Sequence, residues 1–188
     1  MKHVKEYTRK SIHLIFGIIF IALIYLLGTD ISIKIISLFL ALGIIASTLI
    51  KYKVKLPYLG KIVESVEREN EKNFPGKAAI FFFASAIILL FFFQDNKTII
   101  LASLSVQVFA DSFAAIIGIN FGKHKLLGKK TLEGSSICFI TALLCLAYFY
   151  PINIALITAI IATIIELLPM DDNLWVPLVT ATALKLIL

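Results

Sequence analysis

Asp111 stands inside a long apolar run, and the segment that follows it, DSFAAIIGINFGKHKLLGKKTLEGSS, closes on a loop carrying Lys123, Lys125, Lys129 and Lys130. Upstream and downstream of Asp111, the residues Ser103, Gln107, Ala115, Gly118 and Gly122 recur at steps of three or four, so on a helix they form one small, polar stripe. Asp111 lies ten residues from the basic end, about 15 Å along a helix axis. A carboxylate at that depth in a membrane costs several kcal/mol unless it is paired, protonated or holding a cation. Two readings follow. In one, Gly118 and Gly122 make a G-x-x-x-G packing contact and Asp111 bonds a neighbouring helix. In the other, Asp111 holds a divalent metal in a polar cavity.

The loop itself, GKHKLLGKKTLEGSS, is not a P-loop: five residues separate Gly122 from Gly128, a second lysine precedes Thr131, and no strand leads into it. Its chemistry is still that of a polyphosphate cradle, with lysines as point charges and glycines that let backbone N–H groups approach an anion. Lysines alone would also set membrane topology; the glycines, Thr131 and Glu133 are not needed for that. Three further constellations fall on the same side of the chain. RKSIH puts Arg9 and His13 four apart where the first span begins. ERENEKNFPGKAA supplies Glu67, Arg68 and Glu69, then a Pro-Gly turn, then Lys77. ELLPMDDNLWVP supplies Glu166, Asp171, Asp172 and Asn173. Each has a plainer reading: an interfacial histidine, a solvated helix face, and a helix cap by Asp172 or Asn173 with Pro177 in the first turn.

The elements that must position these groups are membrane spans. Of 188 residues 60% are hydrophobic and 16% charged, and the mean hydropathy is +0.96. A water-soluble fold of this size still exposes about a third of its chain surface, too much for such a composition. Apolar runs at 13–28, 31–50, 78–94, 98–121, 136–150, 152–168 and 174–188 predict seven spans of one all-α, polytopic domain covering 1–188, with no alternating strand pattern. The first run is basic and then apolar but lacks a small-residue cleavage site, so it is expected to be a retained span. Of the 18 Lys and Arg, all but Lys34, Lys97 and Lys185 lie in 1–12, 51–77 and 122–135. That bias predicts a multi-pass protein with a cytoplasmic N-terminus and an external C-terminus. Leu59, Ile62, Val63 and Val66 in YLGKIVESVEREN predict an amphipathic helix on the membrane surface. Cys138 and Cys145, seven apart in one apolar run, read as reduced packing residues.

In order along the chain, RKxxH, ER…FPGKAA, DSFAAIIG…FGKHK…GKKTLEGS and E…DDNLWVP together resemble the CTP-dependent lipid kinases: dolichol kinases, phytol kinases and yeast-type diacylglycerol kinases. The 111–135 block also resembles CDP-diacylglycerol synthases, but PMDDNLWVP stands where those enzymes carry an S-x-K-R…K-D element. The resemblance implies transfer of the γ-phosphate of CTP to the hydroxyl of a membrane lipid alcohol, at a site on the cytoplasmic rim, with Mg²⁺ as cofactor and no nucleic acid partner. Asp111 and Asp172, with Asp171 as a further candidate, would be metal ligands. Lys77, Lys123, Lys129 and Lys130 would bind phosphates, Arg9 and Arg68 would act as forks, and Thr131, Glu133 and Asn173 would complete the nucleotide site. Asp111 or His13 would take the acceptor's proton. A CDP-lipid synthase is the alternative, and an ion-coupled transporter a third reading, though the outer halves of the spans lack the polar residues that one requires.

Overall fold

In the computed structural model, residues 2–54, 60, 63 and 74–188 are described, and the regular elements among them are helical. Arg68 and the expected surface helix of YLGKIVESVEREN lie outside the described residues, apart from Gly60 and Val63.

Helix α1 covers Lys2–Lys51 and is broken at Gly28, whose φ of 77° and ψ of 179° are not helical. The break is a reversal. Phe20 and Phe39 would be roughly 28 Å apart along a straight helix at about 1.5 Å per residue, yet their ring centroids are 6.4 Å apart. Glycine alone takes this left-handed φ at no steric cost, so a single residue folds the first arm back on the second. Helix α2, Lys77–Phe92, starts after the Pro75–Gly76 turn, where Gly76 also has positive φ. Asn96 opens α3, Lys97–Phe121, by accepting a hydrogen bond from the Ile99 N–H at 3.2 Å. Within α3, Val106–Ala110 winds as a π turn just before Asp111, a feature often found at functional positions. Helices α4 (Leu132–Phe149), α5 (Ile152–Leu167) and α6 (Asp172–Ile187) complete the bundle.

Helix α3 is the axis of the bundle and is mostly buried. Helices α1, α6 and α4 pack against it, α2 packs mainly on α1 and α6, and α5 packs on α4 and α6. The core runs through Phe20, Ile24, Leu89, Ile100, Leu104, Ala142 and Ala159. Outward-facing Ile15, Phe16, Leu26, Leu38, Phe91, Leu144 and Leu186 are exposed, as expected where lipid is the solvent.

The expectation of seven spans is not supported. Among the described residues three helices are long and apolar enough to cross a membrane: Val4–Lys51, Lys97–Phe121 and Leu132–Phe149. Lys77–Phe92 and Ile152–Leu167 are apolar but have 16 residues each, about 24 Å against a hydrocarbon core of about 30 Å. The first two expected spans are the two arms of α1. The last begins at Asp172 rather than at residue 174, with Asp171 at the N-cap position making no side-chain cap and Pro177 inside the helix. The expected cap by Asp172 or Asn173, with Pro177 in the first turn, is therefore corrected. Cys138 and Cys145 are free thiols, as expected.

Candidate active site

The polar ends of the elements meet at one end of the bundle. The start of α1, the start of α2, the end of α3, the loop before α4, the end of α5 and the start of α6 contribute to it. Four motifs far apart in sequence are thereby joined by side-chain contacts.

At its centre is Asp111, the first residue after the π turn, 3% exposed. Its Oδ2 is ion-paired with Lys10 Nζ, itself 3% exposed. His13 lies one turn further along α1, with Nε2 3.8 Å from the same oxygen. Its ring stands edge-on to Phe82, centroids 4.8 Å apart. Sequence reasoning missed Lys10. Its spacing of three from His13, which puts both on one helix face, is the signal that could have found it.

The second focus is Lys130. Its Nζ is bonded to Glu166 Oε1 and lies 3.3 Å from Asp172 Oδ2. Burial opposes the charge on Lys130, but Asp172, Glu166 and Asp111 more than offset it, so its ammonium is held charged well above the usual lysine range. A single cation thus contacts carboxylates from α5 and α6. Asp172 Oδ1 accepts from the Asn173 N–H at 3.0 Å, and Asn173 Oδ1 accepts from Gln107 Nε2 at 2.9 Å. That chain of contacts ties the start of α6 to the π turn of α3. Asp171 is turned the other way, with Oδ2 3.0 Å from Lys77 Nζ.

The loop at 122–131 is ordered by its own backbone. Leu132 N–H donates to His124 O at 2.8 Å, Leu126 N–H to Lys130 O at 3.0 Å, and Lys130 N–H to Leu127 O at 2.9 Å, with Gly128 at positive φ in the turn. Thr131 is the N-cap of α4, its hydroxyl accepting from the Gly134 N–H at 3.2 Å. Glu133 reaches back to His124 Nδ1 at 2.8 Å. The hydroxyl and carboxylate expected to face a nucleotide are therefore engaged in shaping the loop. Gly118, Gly122 and Gly134 crowd against Thr131: an added Cβ at Gly118 or Gly134 would come within 3.2 or 3.1 Å of Oγ1. The small-residue stripe of α3 is thus a packing surface for α4, and Asp111 lies beyond it on the same helix.

The remaining predicted residues are less engaged. Arg9 is buried and its Nη2 is 2.5 Å from Glu6 Oε1. Lys123 and Lys129 are exposed, and neither makes an ion pair with a described residue. An apolar cavity of about 340 Å³, lined by Phe92, Phe93, Leu178 and Lys185 among others, lies at the opposite end of the bundle and contains none of these groups.

Whether the site suits Mg²⁺ can be judged from its donors. Among the described residues no three His, Cys, Asp or Glu side chains gather closely enough to hold a metal by themselves. Mg²⁺ needs fewer: one or two carboxylates, with phosphate oxygens and water completing the octahedron. Asp111 and Asp172 fit that partial set. Gln107 Oε1 and Ser112 Oγ, either side of Asp111 on α3, are buried with no hydrogen-bond partner among the described residues, so the polar groups beside Asp111 are not all satisfied internally.

Over 181 residues the chain is 34% identical to an uncharacterized protein of Methanocaldococcus jannaschii, covering 94% of this chain and 91% of that one. No solved structure matches it significantly. Nearly all of the sequence, residues 1–181, matches one family, and the polar end just described falls within the match: the chain belongs to the cytidylyltransferase family.

Proposed function

We propose that this protein is a CTP-dependent lipid kinase, transferring the γ-phosphate of CTP to the hydroxyl of a membrane lipid alcohol. A polyprenol such as dolichol, a shorter isoprenoid alcohol and a diradylglycerol all have the required hydroxyl at headgroup depth. The observation that carries the reading is the meeting of Lys130 with Asp172 and Glu166 at the end of the membrane bundle that also holds the buried Asp111. Phosphoryl transfer needs positive charge on a polyphosphate beside carboxylates that can manage a cation and an acceptor, and these residues supply both.

In this reading the site end faces the cytoplasm, CTP enters from water and the lipid enters sideways between helices. Lys130, Lys77 and the exposed Lys123 and Lys129 bind the triphosphate, with Arg9 and Arg68 as forks. Asn173 and Gln107 fix the register of α6 against α3, while Thr131 and Glu133 hold the shape of the loop. Mg²⁺ would be held by Asp111 and Asp172, with Asp171 within the same motif, and when bound it neutralises charge on the triphosphate. The acceptor oxygen attacks the γ-phosphorus, a new O–P bond forms, and the bond from the γ-phosphorus to its bridging oxygen breaks. CDP leaves with that electron pair, and the hydroxyl proton passes to the Asp111–His13 pair.

The family match favours a second reading equally well, a CDP-lipid synthase. There a lipid phosphate attacks the α-phosphorus and pyrophosphate leaves. The segment PMDDNLWVP favours the kinase. Incubating the purified protein with CTP labelled at either the α or the γ position, and with a panel of lipid alcohols and lipid phosphates, separates the two. The kinase puts γ-label into the lipid and releases CDP. Pyrophosphate together with α-label in the lipid would overturn it in favour of the synthase.

A further inference from the structure

The chemistry above gives Glu166 no task, yet its placement is costly. It sits in the last turn of α5, 3% exposed, on the face that carries buried Ala155, Ala159 and Ala162. One oxygen, Oε1, is bonded to Lys130 Nζ; the other, Oε2, is buried and has no hydrogen-bond partner among the described residues. Burying an ionised carboxylate costs several kcal/mol, and one retained for structure alone would be expected to have its lone pairs satisfied. A glutamine or a leucine would fill the same space among alanines. Its side chain contacts Lys130, and that contact sets Lys130 apart from the rest of its loop. Lys123, Lys125 and Lys129 are exposed, whereas the Lys130 side chain is 31% exposed and turned inward.

The backbone does not force this. Lys130 is pinned by hydrogen bonds to Leu126 and Leu127, but its flexible four-carbon stem could still carry the ammonium out to water. Two carboxylates hold it in. Asp172, at 3.3 Å, is the more distant partner, and in the proposed reaction Asp172 is also the one given over to the nucleotide's cation. Glu166 is too deep to leave.

We propose that Glu166 is a positioning residue: its buried carboxylate anchors the Lys130 ammonium at the mouth of the site, so that the charge stays aimed at the nucleotide phosphates when Asp172 is engaged elsewhere. This rests on the CTP reading above. Glu166 touches neither substrate; it acts through Lys130.

The test compares wild type, Glu166→Gln, Glu166→Asp, Lys130→Met and the double variant Glu166→Gln/Lys130→Met, all purified in detergent. CTP binding is measured with Mg²⁺ by equilibrium dialysis, together with kcat, KM and the melting midpoint. Glu166→Gln is expected to raise Kd and KM for CTP about tenfold, to change kcat less, and to leave the midpoint undiminished. Glu166→Asp, which keeps the charge one methylene further away, should recover part of the loss. On the Lys130→Met background Glu166→Gln should change CTP binding no further, because the two residues act as one unit. Equal weakening on both backgrounds would overturn the inference, as would a loss of binding that follows a fall in midpoint. Wild-type binding of CTP with an unaffected Glu166→Gln would remove this inference alone. Absence of CTP binding by the wild type would remove the nucleotide reading and the inference together.

Discussion

At the scale of single residues, the ion pair of Lys10 with Asp111 carries the clearest energetic consequence. Both groups are buried, so each depends on the other: removing one partner of such a pair leaves an uncompensated charge, at a cost of about 3–5 kcal/mol in soluble proteins, whereas replacing both is far milder. Lys10→Met should therefore lower the melting midpoint sharply, and Lys10→Met/Asp111→Asn should restore most of it. Asp111→Asn alone strands the Lys10 ammonium in turn and should also lower the midpoint, while the protein that remains folded should lose CTP turnover by orders of magnitude, since asparagine retains an oxygen but not the charge. Thermal melts and turnover assays on the three variants check this; a stable Lys10→Met protein would show that the pair contributes nothing to the fold. The same pair shows where sequence reasoning stops. Asp111 was legible because an ionisable residue in an apolar run needs a reason. Lys10 was not, because a lysine at the basic start of a membrane protein already has one in topology. Arg9 and Lys10 are both buried, and which of the two reaches Asp111 depends on the rotation of α1 about its axis, which only packing decides.

At the scale of elements, the close approaches between helices rest on residues with no side chain. Gly17 in α1 lies directly against Val108 in the π turn of α3, so a Cβ there would overlap both methyl groups of the valine. Gly17→Ala should cost about 1–3 kcal/mol and, by pushing α1 away from α3, should also disturb the pairing of Lys10 with Asp111. Combining it with Val108→Ala should recover much of the loss. Melting midpoints of the two single variants and the double test this; an unchanged midpoint for Gly17→Ala would mean that the helices part freely. Much of the element order was visible in advance, since the apolar runs are long and their breaks are marked by Asn96, Pro151 and Pro169. The π turn was not, because SVQVFAD carries no Gly or Pro to announce it; its wider, i→i+5 winding sits where α4, α6 and α1 all pack against α3. The loop before α4 was legible as a basic loop but not as one closed on itself, because the roles of Thr131 and Glu133 as cap and clasp emerge only when Gly134 and His124 are brought beside them.

At the scale of the whole molecule, charge and shape are polarised together. The carboxylate–lysine contacts gather at one end, while at the other Lys97 and Lys185 lie over the rings of Tyr25 and Phe93, at 5.1 and 5.5 Å. A cysteine placed at Lys123 and another at Leu188, each in a Cys138→Ala/Cys145→Ala background, should react with an impermeant thiol reagent from opposite faces of sealed vesicles. Labelling of both from one face would remove the assignment of the two bundle ends to the two sides of the membrane. The reversal at Gly28 has a consequence for how such a molecule is made. The two arms of α1 leave the ribosome before α2 and α3 and can enter the bilayer as a pre-closed pair, but the carbonyl of Tyr25 at their tip finds its partner, Lys97 Nζ at 2.8 Å, only 72 residues later. Until that lysine is synthesised, the tip must stay at the wet edge of the membrane with water as its partner. The tip at the far end of the bundle is therefore sealed only after α2 has followed α1, by a residue that takes no part in the site at the near end.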